Sequence, residues 1–189
     1  MHNIKTVGVA GSGTMGAGIA IVAARAGFKT IVFDTQQAAL DRARKQTEGF
    51  FAKSVERKKL TQPDVDKIMA GLSGTTRIED LASCDIVIEA VFENLKVKHD
   101  LLAQLNKACK PETIFASNTS TLSITEIAAG SGRDEKFVGM HFCLPAQLMK
   151  LAIANLTPDD LIAIAAYVAS LPPPAPGKAP AKPVLTSSR

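Results

Sequence analysis

Three glycines near the amino terminus have the spacing of a phosphate-binding turn. Gly11, Gly13 and Gly16 form the pattern GxGxxG between a short β-branched run and an alanine-rich stretch that favours a helix. In such a strand–turn–helix unit the first glycine makes the turn, the second admits a pyrophosphate and the third lets the helix pack closely on the strand. The pattern therefore predicts dinucleotide binding, with Thr14 and Met15 beside the phosphates in the first helical turn.

A carboxylate follows the second predicted strand of this unit. Asp34 lies 18 residues past Gly16, where an acidic side chain binds the hydroxyl groups of the adenine ribose. Its negative charge repels the 2′-phosphate of NADP, so the sequence favours NAD as the cofactor. The alternative is a Rossmann-like domain whose glycines serve only the turn, and the combined context favours dinucleotide binding over it.

Apolar, β-branched runs alternate with helix-favouring stretches along about 140 residues, which indicates βαβ units. This alternation predicts an α/β, Rossmann-like, doubly wound and mostly parallel sheet with helices on both faces. The long insertion after the second strand contains the helix start Thr61-Gln-Pro-Asp64 and predicts a helical hairpin. The predicted strands are 4–10, 29–34, 75–78, 85–91, 113–116 and 136–141, and predicted helices begin near residues 15, 36, 61, 95 and 123.

Length and composition narrow the class of protein. With 189 residues, 46% of them hydrophobic and 21% charged, the chain matches one globular domain with an appendage. The net charge of +4 includes no basic block with interleaved aromatics, so nucleic acid is not an expected partner. Cys84, Cys109 and Cys143 are too widely spaced for a disulfide framework or a zinc site, so we expect no metal and a cytoplasmic location. No apolar stretch approaches the ~18 residues of a membrane span.

The composition changes near Leu151. Seven of the 10 prolines lie at or after Pro158, whereas 12 of the 13 glycines lie before residue 140. We therefore predict a nucleotide-binding domain over 1–151, a separate helical segment over 152–171 and a flexible Pro/Ala/Lys-rich tail over 172–189. Thr157-Pro-Asp-Asp160 is a helix start, and apolar residues nearly all round the following helix predict that it packs on an apolar surface.

Three further motifs resemble those of a known enzyme family. The stretches Glu89–Lys98, Phe115–Ser120 and Gly139–Phe142, taken with the glycine loop, are similar in order and spacing to the NAD-binding domain of 3-hydroxyacyl-CoA dehydrogenases. The resemblance covers roughly residues 4–151. It implies NAD-dependent oxidation of (S)-3-hydroxyacyl-CoA to 3-oxoacyl-CoA in fatty-acid or related acyl-CoA metabolism.

The resemblance also implies roles for particular side chains. His141 matches the catalytic histidine, and an imidazole suits the removal of a hydroxyl proton because it titrates near neutral pH. Ser120 matches the serine that binds the substrate oxygen, Asn118 lies beside the nicotinamide in the family, and Glu93 and Lys98 match contacts to that end of the cofactor. The alternatives are a structural histidine, a helix cap at Asn118 to Ser120, and an exposed charge at Lys98.

The helical insertion carries a group of basic residues. Ser54, Lys58 and Lys59, with neighbouring Lys53 and Arg57, lie where the family contacts the CoA nucleotide, and positive charge near its 3′-phosphate is electrostatically reasonable. The alternative is a basic helix face that is simply solvated.

The chain departs from the family pattern after His141. Leu144 stands where the family has asparagine, and Ile153 stands where it has the glutamate that orients the catalytic histidine. The family's helical domain, with most of its acyl-chain pocket and its usual dimer surface, has no counterpart in the sequence. We therefore expect weak activity from the chain alone, and any oligomer to use a surface other than that one.

Residues 155–174 instead resemble the last helix of class I cytochromes c, but the chain contains no CxxCH and we expect no haem. Three classes of function follow from the sequence. They are a weakly active acyl-CoA dehydrogenase, an inactive NAD-binding remnant or regulatory module, and a Rossmann dehydrogenase for another alcohol.

Overall fold

The computed structural model describes residues 4–143 and residue 146. Six strands form one sheet in which every neighbouring pair is parallel. The strands are β1 (Thr6–Ala10), β2 (Lys29–Phe33), β3 (Leu72–Thr75), β4 (Ile86–Glu89), β5 (Ile114–Ser117) and β6 (Phe137–Gly139). Their order is β3-β2-β1-β4-β5-β6. The predicted Rossmann-like α/β fold is confirmed, and the chain reverses its direction of winding between β1 and β4.

Five α-helices connect the strands. They are α1 (Thr14–Arg25), α2 (Gln37–Glu56), α3 (Gln62–Ala70), α4 (Leu95–Ala108) and α5 (Ile124–Ala129). The predicted start of α3 is present as a capping box between Thr61 and Asp64. Ser123 caps α5 by accepting from the Glu126 amide. The cap of this helix is therefore not at Asn118 to Ser120.

The helices cover both faces of the sheet because its strands are apolar on both sides. One face packs Val87 and Phe115 against Leu102 of α4 and Ile127 of α5. The opposite face buries residues of β1, β4 and β5 against α1, including Val9, Ile19, Ile88 and Ala116. A smaller cluster of Phe51 and Val65 with Ile21 joins α2 and α3 to α1, as expected of the predicted hairpin.

The third strand lies earlier in the chain than predicted. The sequence suggested 75–78, whereas β3 spans Leu72–Thr75 and residues Ile78–Leu81 form a 3-10 turn. The reason is local: Gly71 ends α3, so the chain enters the strand at once. The Thr75 hydroxyl then donates to Asp80 at 2.5 Å and accepts from the Arg77 amide, which turns the chain away from the sheet.

Several predictions fall outside the described residues. They concern Leu144, Ile153, the helical segment 152–171 with its cytochrome-like pattern, and the tail 172–189. Over 4–143 and 146, no helix is long and apolar enough to cross a bilayer. The same part of the chain brings no three His, Cys, Asp or Glu side chains together as a metal site.

Candidate functional site

Two glycines of the loop between β1 and α1 are required by close backbone packing. Gly11 has a φ of +101°, and a Cβ there would lie 2.7 Å from the Ala90 carbonyl oxygen. A Cβ at Gly16 would lie 1.8 Å from the Gly11 carbonyl oxygen. The first glycine therefore makes the turn and the third brings α1 against the loop, as the pattern predicts.

The second glycine opens a space at the start of α1. A Cβ at Gly13 would meet no atom within 4 Å, and no side chain caps this helix end. Gly13 and Thr14 are exposed and Met15 is half-buried. The first amides of an α-helix lack partners within the helix, and its dipole favours negative charge there. The loop therefore fits the pyrophosphate of a dinucleotide approaching close to the backbone.

Asp34 lies just past the end of β2 and is bonded to the glycine loop. Its Oδ2 accepts from the Ser12 amide at 2.9 Å and from the Ser12 hydroxyl at 2.7 Å, and its Oδ1 accepts from the Gln36 amide at 3.1 Å. Burial raises the pKa of Asp34, but these hydrogen bonds and the charge of Arg42 outweigh it and bring the pKa below its usual value. The carboxylate is thus ionised and held at the edge of the loop.

Ser120 and His141 meet at the carboxyl end of the sheet. Ser120 follows β5 and His141 follows β6, and Ser120 Oγ lies 2.9 Å from His141 Nε2 in a hydrogen bond. Both residues are exposed. Asn118 joins the two segments, because its side-chain Oδ1 accepts from the Phe142 backbone amide at 2.7 Å. The backbone amide of Asn118 donates to the Glu89 carbonyl at 2.9 Å, which ties the same segment to β4.

Glu93 binds the loop that carries Ser120. Its Oε1 accepts from the Thr119 hydroxyl, from the amides of Ser120 at 2.9 Å and Thr121 at 3.1 Å, and from the Thr121 hydroxyl at 3.2 Å. Burial raises the pKa of Glu93, but these bonds and the charge of Lys98 outweigh it and lower the pKa to about 2. The side chain therefore acts as an anionic anchor for the Ser120 loop.

The low pKa of Glu93 predicts a pH-dependent contribution to stability. The stabilisation is complete above the ordinary glutamate pKa and is lost as the pH falls toward about 2. Glu93→Gln should therefore be less stable than the parent at pH 6.5, and the difference should shrink at pH ~3.5. Urea unfolding at the two pH values measures it. A difference of equal size at both would contradict the anchoring role of the carboxylate.

Lys98 is buried, so the alternative of an exposed charge is wrong. Its side chain is 1% exposed, and Nζ lies 2.6 Å from Glu89 Oε1 and 3.3 Å from Glu93 Oε2. The cause is the helical repeat: Lys98 shares the inward face of α4 with Leu101, Leu102 and Leu105. The ammonium consequently lies behind Glu93.

The structure separates the three residues predicted to contact CoA. Lys58 and Lys59 are exposed in the turn between α2 and α3, and Lys58 has a φ of +53°. Ser54 is buried on the inner side of α2, and its hydroxyl donates to the Phe50 carbonyl at 2.9 Å. Ser54 and the two lysines therefore differ in exposure, and the role of all three in binding CoA stays a prediction.

Three polar residues of the site were not singled out from the sequence. Ser12 binds Asp34, and Glu89 and Ser117 end adjacent parallel strands and bind each other at 2.6 Å. A signal for the last two was available, because polar residues directly after apolar parallel strands meet at one edge of the sheet. For Ser12 the sequence gives a weaker indication of a role in the site, namely a hydroxyl inside the glycine pattern.

A parallel sheet of this order, with a glycine loop beside its switch point and an acid after β2, defines a Rossmann-type dinucleotide-binding domain. The model of the family "3-hydroxyacyl-CoA dehydrogenase, NAD binding domain" matches residues 6–166. The chain belongs to this family, which confirms both the predicted resemblance and NAD as the cofactor of the domain.

Individual relatives agree with this assignment. The 3-hydroxyadipyl-CoA dehydrogenase of Escherichia coli K12 is 45% identical over 151 residues, covering 80% of this chain and 32% of that protein. The fatty acid oxidation complex subunit alpha of Idiomarina loihiensis is 40% identical over 172 residues, covering 89% of this chain and 24% of that protein.

A solved structure is also similar. The crystal structure of (S)-3-hydroxybutyryl-CoA dehydrogenase from Ralstonia eutropha superposes with a TM-score of 0.77 at 38% identity, covering 79% of this chain and 53% of that one. The chain thus spans about half or less of the length of each of these relatives.

Proposed function

We propose that this chain binds NAD(H) across the carboxyl edge of its sheet. Gly11, Gly13, Thr14, Met15 and Gly16 surround the pyrophosphate, and the open space at Gly13 is the observation that supports this placement. The hydroxyl groups of the adenine ribose donate to the carboxylate of Asp34, which follows β2. At the nicotinamide end the contacts come from Asn118 and Glu93, and Lys98, buried behind Glu93, supports that carboxylate without reaching the cofactor itself.

Asp34→Ala should erode the preference for NADH over NADPH. The substitution removes both the acceptor for the ribose hydroxyls and the charge that repels a 2′-phosphate. It also frees the Ser12 hydroxyl, so a moderate loss of NADH affinity accompanies the change in preference. Fluorescence titration of both nucleotides into parent and variant measures the ratio. Equal affinity of the parent for NADH and NADPH would remove Asp34 from this role.

The reaction we propose is hydride transfer between the 3-hydroxyl carbon of a 3-hydroxyacyl-CoA and NAD, which accepts the hydride when it is bound. The hydrogen-bonded pair of Ser120 and His141 is the observation that supports it. With its proton on Nδ1, His141 has a lone pair on Nε2 that accepts the substrate hydroxyl proton. Ser120 Oγ donates to the oxygen that becomes the ketone. Asn118 keeps both residues in register through Phe142.

The same proposal includes the CoA moiety and the organisation of the chain. The exposed lysines Lys58 and Lys59 approach the CoA phosphates, whereas Ser54 supports the turn from inside. We propose residues 1–151 as the NAD-binding domain, followed by a separate segment over 152–171 and a Pro/Ala/Lys-rich tail over 172–189. The three free cysteines favour a reducing, cytoplasmic location.

A second candidate function is NAD binding without turnover, as a remnant or regulatory module. The substitution of the orienting glutamate by Ile153 favours it. Within residues 4–143 the ring of His141 is hydrogen-bonded to Ser120 and to no carboxylate. NADH formation from 3-hydroxybutyryl-CoA, followed at high protein concentration, distinguishes the two. A rate that disappears in His141→Ala supports the dehydrogenase, and no rate above that variant supports the binding module.

A further inference from the structure

Behind Glu93 lies a group of buried polar side chains that the proposed reaction does not use. Glu89 ends β4 with its side chain 0% exposed, and its carboxylate makes three hydrogen bonds. Oε1 accepts from Lys98 Nζ at 2.6 Å and from the Val91 amide at 2.9 Å, and Oε2 accepts from Ser117 Oγ at 2.6 Å. Both carboxylate oxygens of Glu89 are therefore held in place by hydrogen bonds.

These contacts form a continuous path to the Ser120–His141 pair. Lys98 Nζ lies between two carboxylates, at 2.6 Å from Glu89 and 3.3 Å from Glu93. Glu93 in turn accepts from the Ser120 amide at 2.9 Å, and the Ser120 hydroxyl meets His141. The position of Glu93, and through it that of Ser120, therefore depends on where Lys98 is held.

Glu89 decides where that ammonium lies. The Glu93 side chain is 38% exposed and is screened by water, whereas Glu89 is fully buried and rigidly bonded to β5 through Ser117. A buried charge pair contributes little net stability, because removing two ions from water offsets their attraction. The arrangement is better explained by geometry: it holds the cation at a defined distance behind a carboxylate that binds the Ser120 loop.

We propose that Glu89 is a positioning residue that sets the geometry of the Ser120–His141 pair through Lys98 and Glu93. This inference rests on the proposed function, in which that pair binds the reacting hydroxyl. Without the charge of Glu89, the Lys98 ammonium moves toward Glu93, the remaining carboxylate. Glu93 then rotates away from the amides that it accepts, and the loop carrying Ser120 loosens.

The test compares Glu89→Gln with the full-length parent by amide hydrogen exchange and by the ¹⁵N shift of His141 Nε2, without cofactor. The Ser120 and Thr121 amides should exchange about 10-fold faster, the equivalent of one lost hydrogen bond, with core amides such as that of Ile88 as the reference. The His141 Nε2 shift should move toward that of an imidazole without a serine partner. Glu89→Asp, which retains the charge, should restore part of both signals.

Two further variants make the result decisive. Asp100→Asn removes an exposed ion pair with Lys96 on the same helix and should change neither signal. Ser117→Ala removes a bond to Glu89 while retaining every charge, and should accelerate exchange at Ser120 and Thr121 more than at Ile88. If Glu89→Gln does not fold, the exchange rates of Ser117→Ala test the positioning role of Glu89.

Equal acceleration of loop and core amides, or none in either variant, would overturn the positioning role. NADH titration of the parent reports separately on the proposed function. If the parent does not bind NADH, that function fails, while the exchange pattern still decides the role of Glu89.

Discussion

Gly13→Ala is expected to weaken NADH binding by about 100-fold or more, while the fold stays intact. The added Cβ meets no protein atom within 4 Å, and the φ of −62° at this position suits alanine. The loss of glycine at a helix N-cap costs at most about 1 kcal/mol. The methyl group instead occupies the space that a pyrophosphate needs at the start of α1. Calorimetric NADH titration and thermal unfolding measure the two effects.

Gly16→Ala is the matched comparison, because the same methyl group is added three residues later. Its Cβ would lie 1.8 Å from the Gly11 carbonyl oxygen, so α1 and the loop must separate. Overpacking of this kind costs about 3 kcal/mol or more when backbone must move. Gly16→Ala should therefore lose both stability and NADH binding, whereas Gly13→Ala loses binding alone. NADH binding by Gly13→Ala at the parent's affinity would refute the placement of the pyrophosphate.

Oxidation of 3-hydroxybutyryl-CoA by the purified chain is expected to fall far below the common enzyme range of about 1–10³ s⁻¹. Ser120 and His141 are both exposed, so water competes for the hydroxyl that they must bind. The chain places Ile153 where the resemblance requires the carboxylate that orients the imidazole. Loss of such a carboxylate costs about 10⁴ in turnover in serine proteases.

Ile153→Glu should recover part of this loss, by about 10-fold to 10²-fold, because a general base works best when its imidazole is oriented. Ile153→Gln is the matched control, since it restores the polar length without the charge that stabilises imidazolium. The measurement is NADH formation at 340 nm with saturating NAD. A parent turnover within the common range would show that the chain supplies the missing groups elsewhere, and Asp159 and Asp160 are then the first residues to substitute.

The acid-pH stability of Glu93→Gln and the nucleotide preference of Asp34→Ala test two different loops at the carboxyl edge of the sheet. Glu93 binds the loop after β5, and Asp34 binds the loop after β1. Because these two carboxylates are anchored to different loops, we expect Asp34→Ala to change nucleotide preference without the pH-dependent loss of stability expected for Glu93→Gln. Additive effects in the double variant would support their independence.

The features that the sequence predicted correctly depend on neighbouring residues in the chain. The glycine pattern, the helix start at Thr61 and the alternation of strands and helices are local, so backbone sterics and apolar periodicity are enough to predict them. The family motifs added Ser120 and His141, which lie 21 residues apart and meet at 2.9 Å. Their pairing follows from the parallel sheet, because the carboxyl ends of its strands share one edge.

Only the tertiary structure decided which polar and charged side chains are buried and which residues they contact. An exposed charge was one interpretation of Lys98, yet the side chain is buried between Glu89 and Glu93. Ser54 is also buried, and its hydroxyl donates to a carbonyl within α2. Ser12 and Asp34 are 22 residues apart in sequence and are joined only when β1 and β2 pair. The physical reason is that desolvation and hydrogen bonding depend on atoms brought together from distant segments, whereas propensity and periodicity act within a few residues.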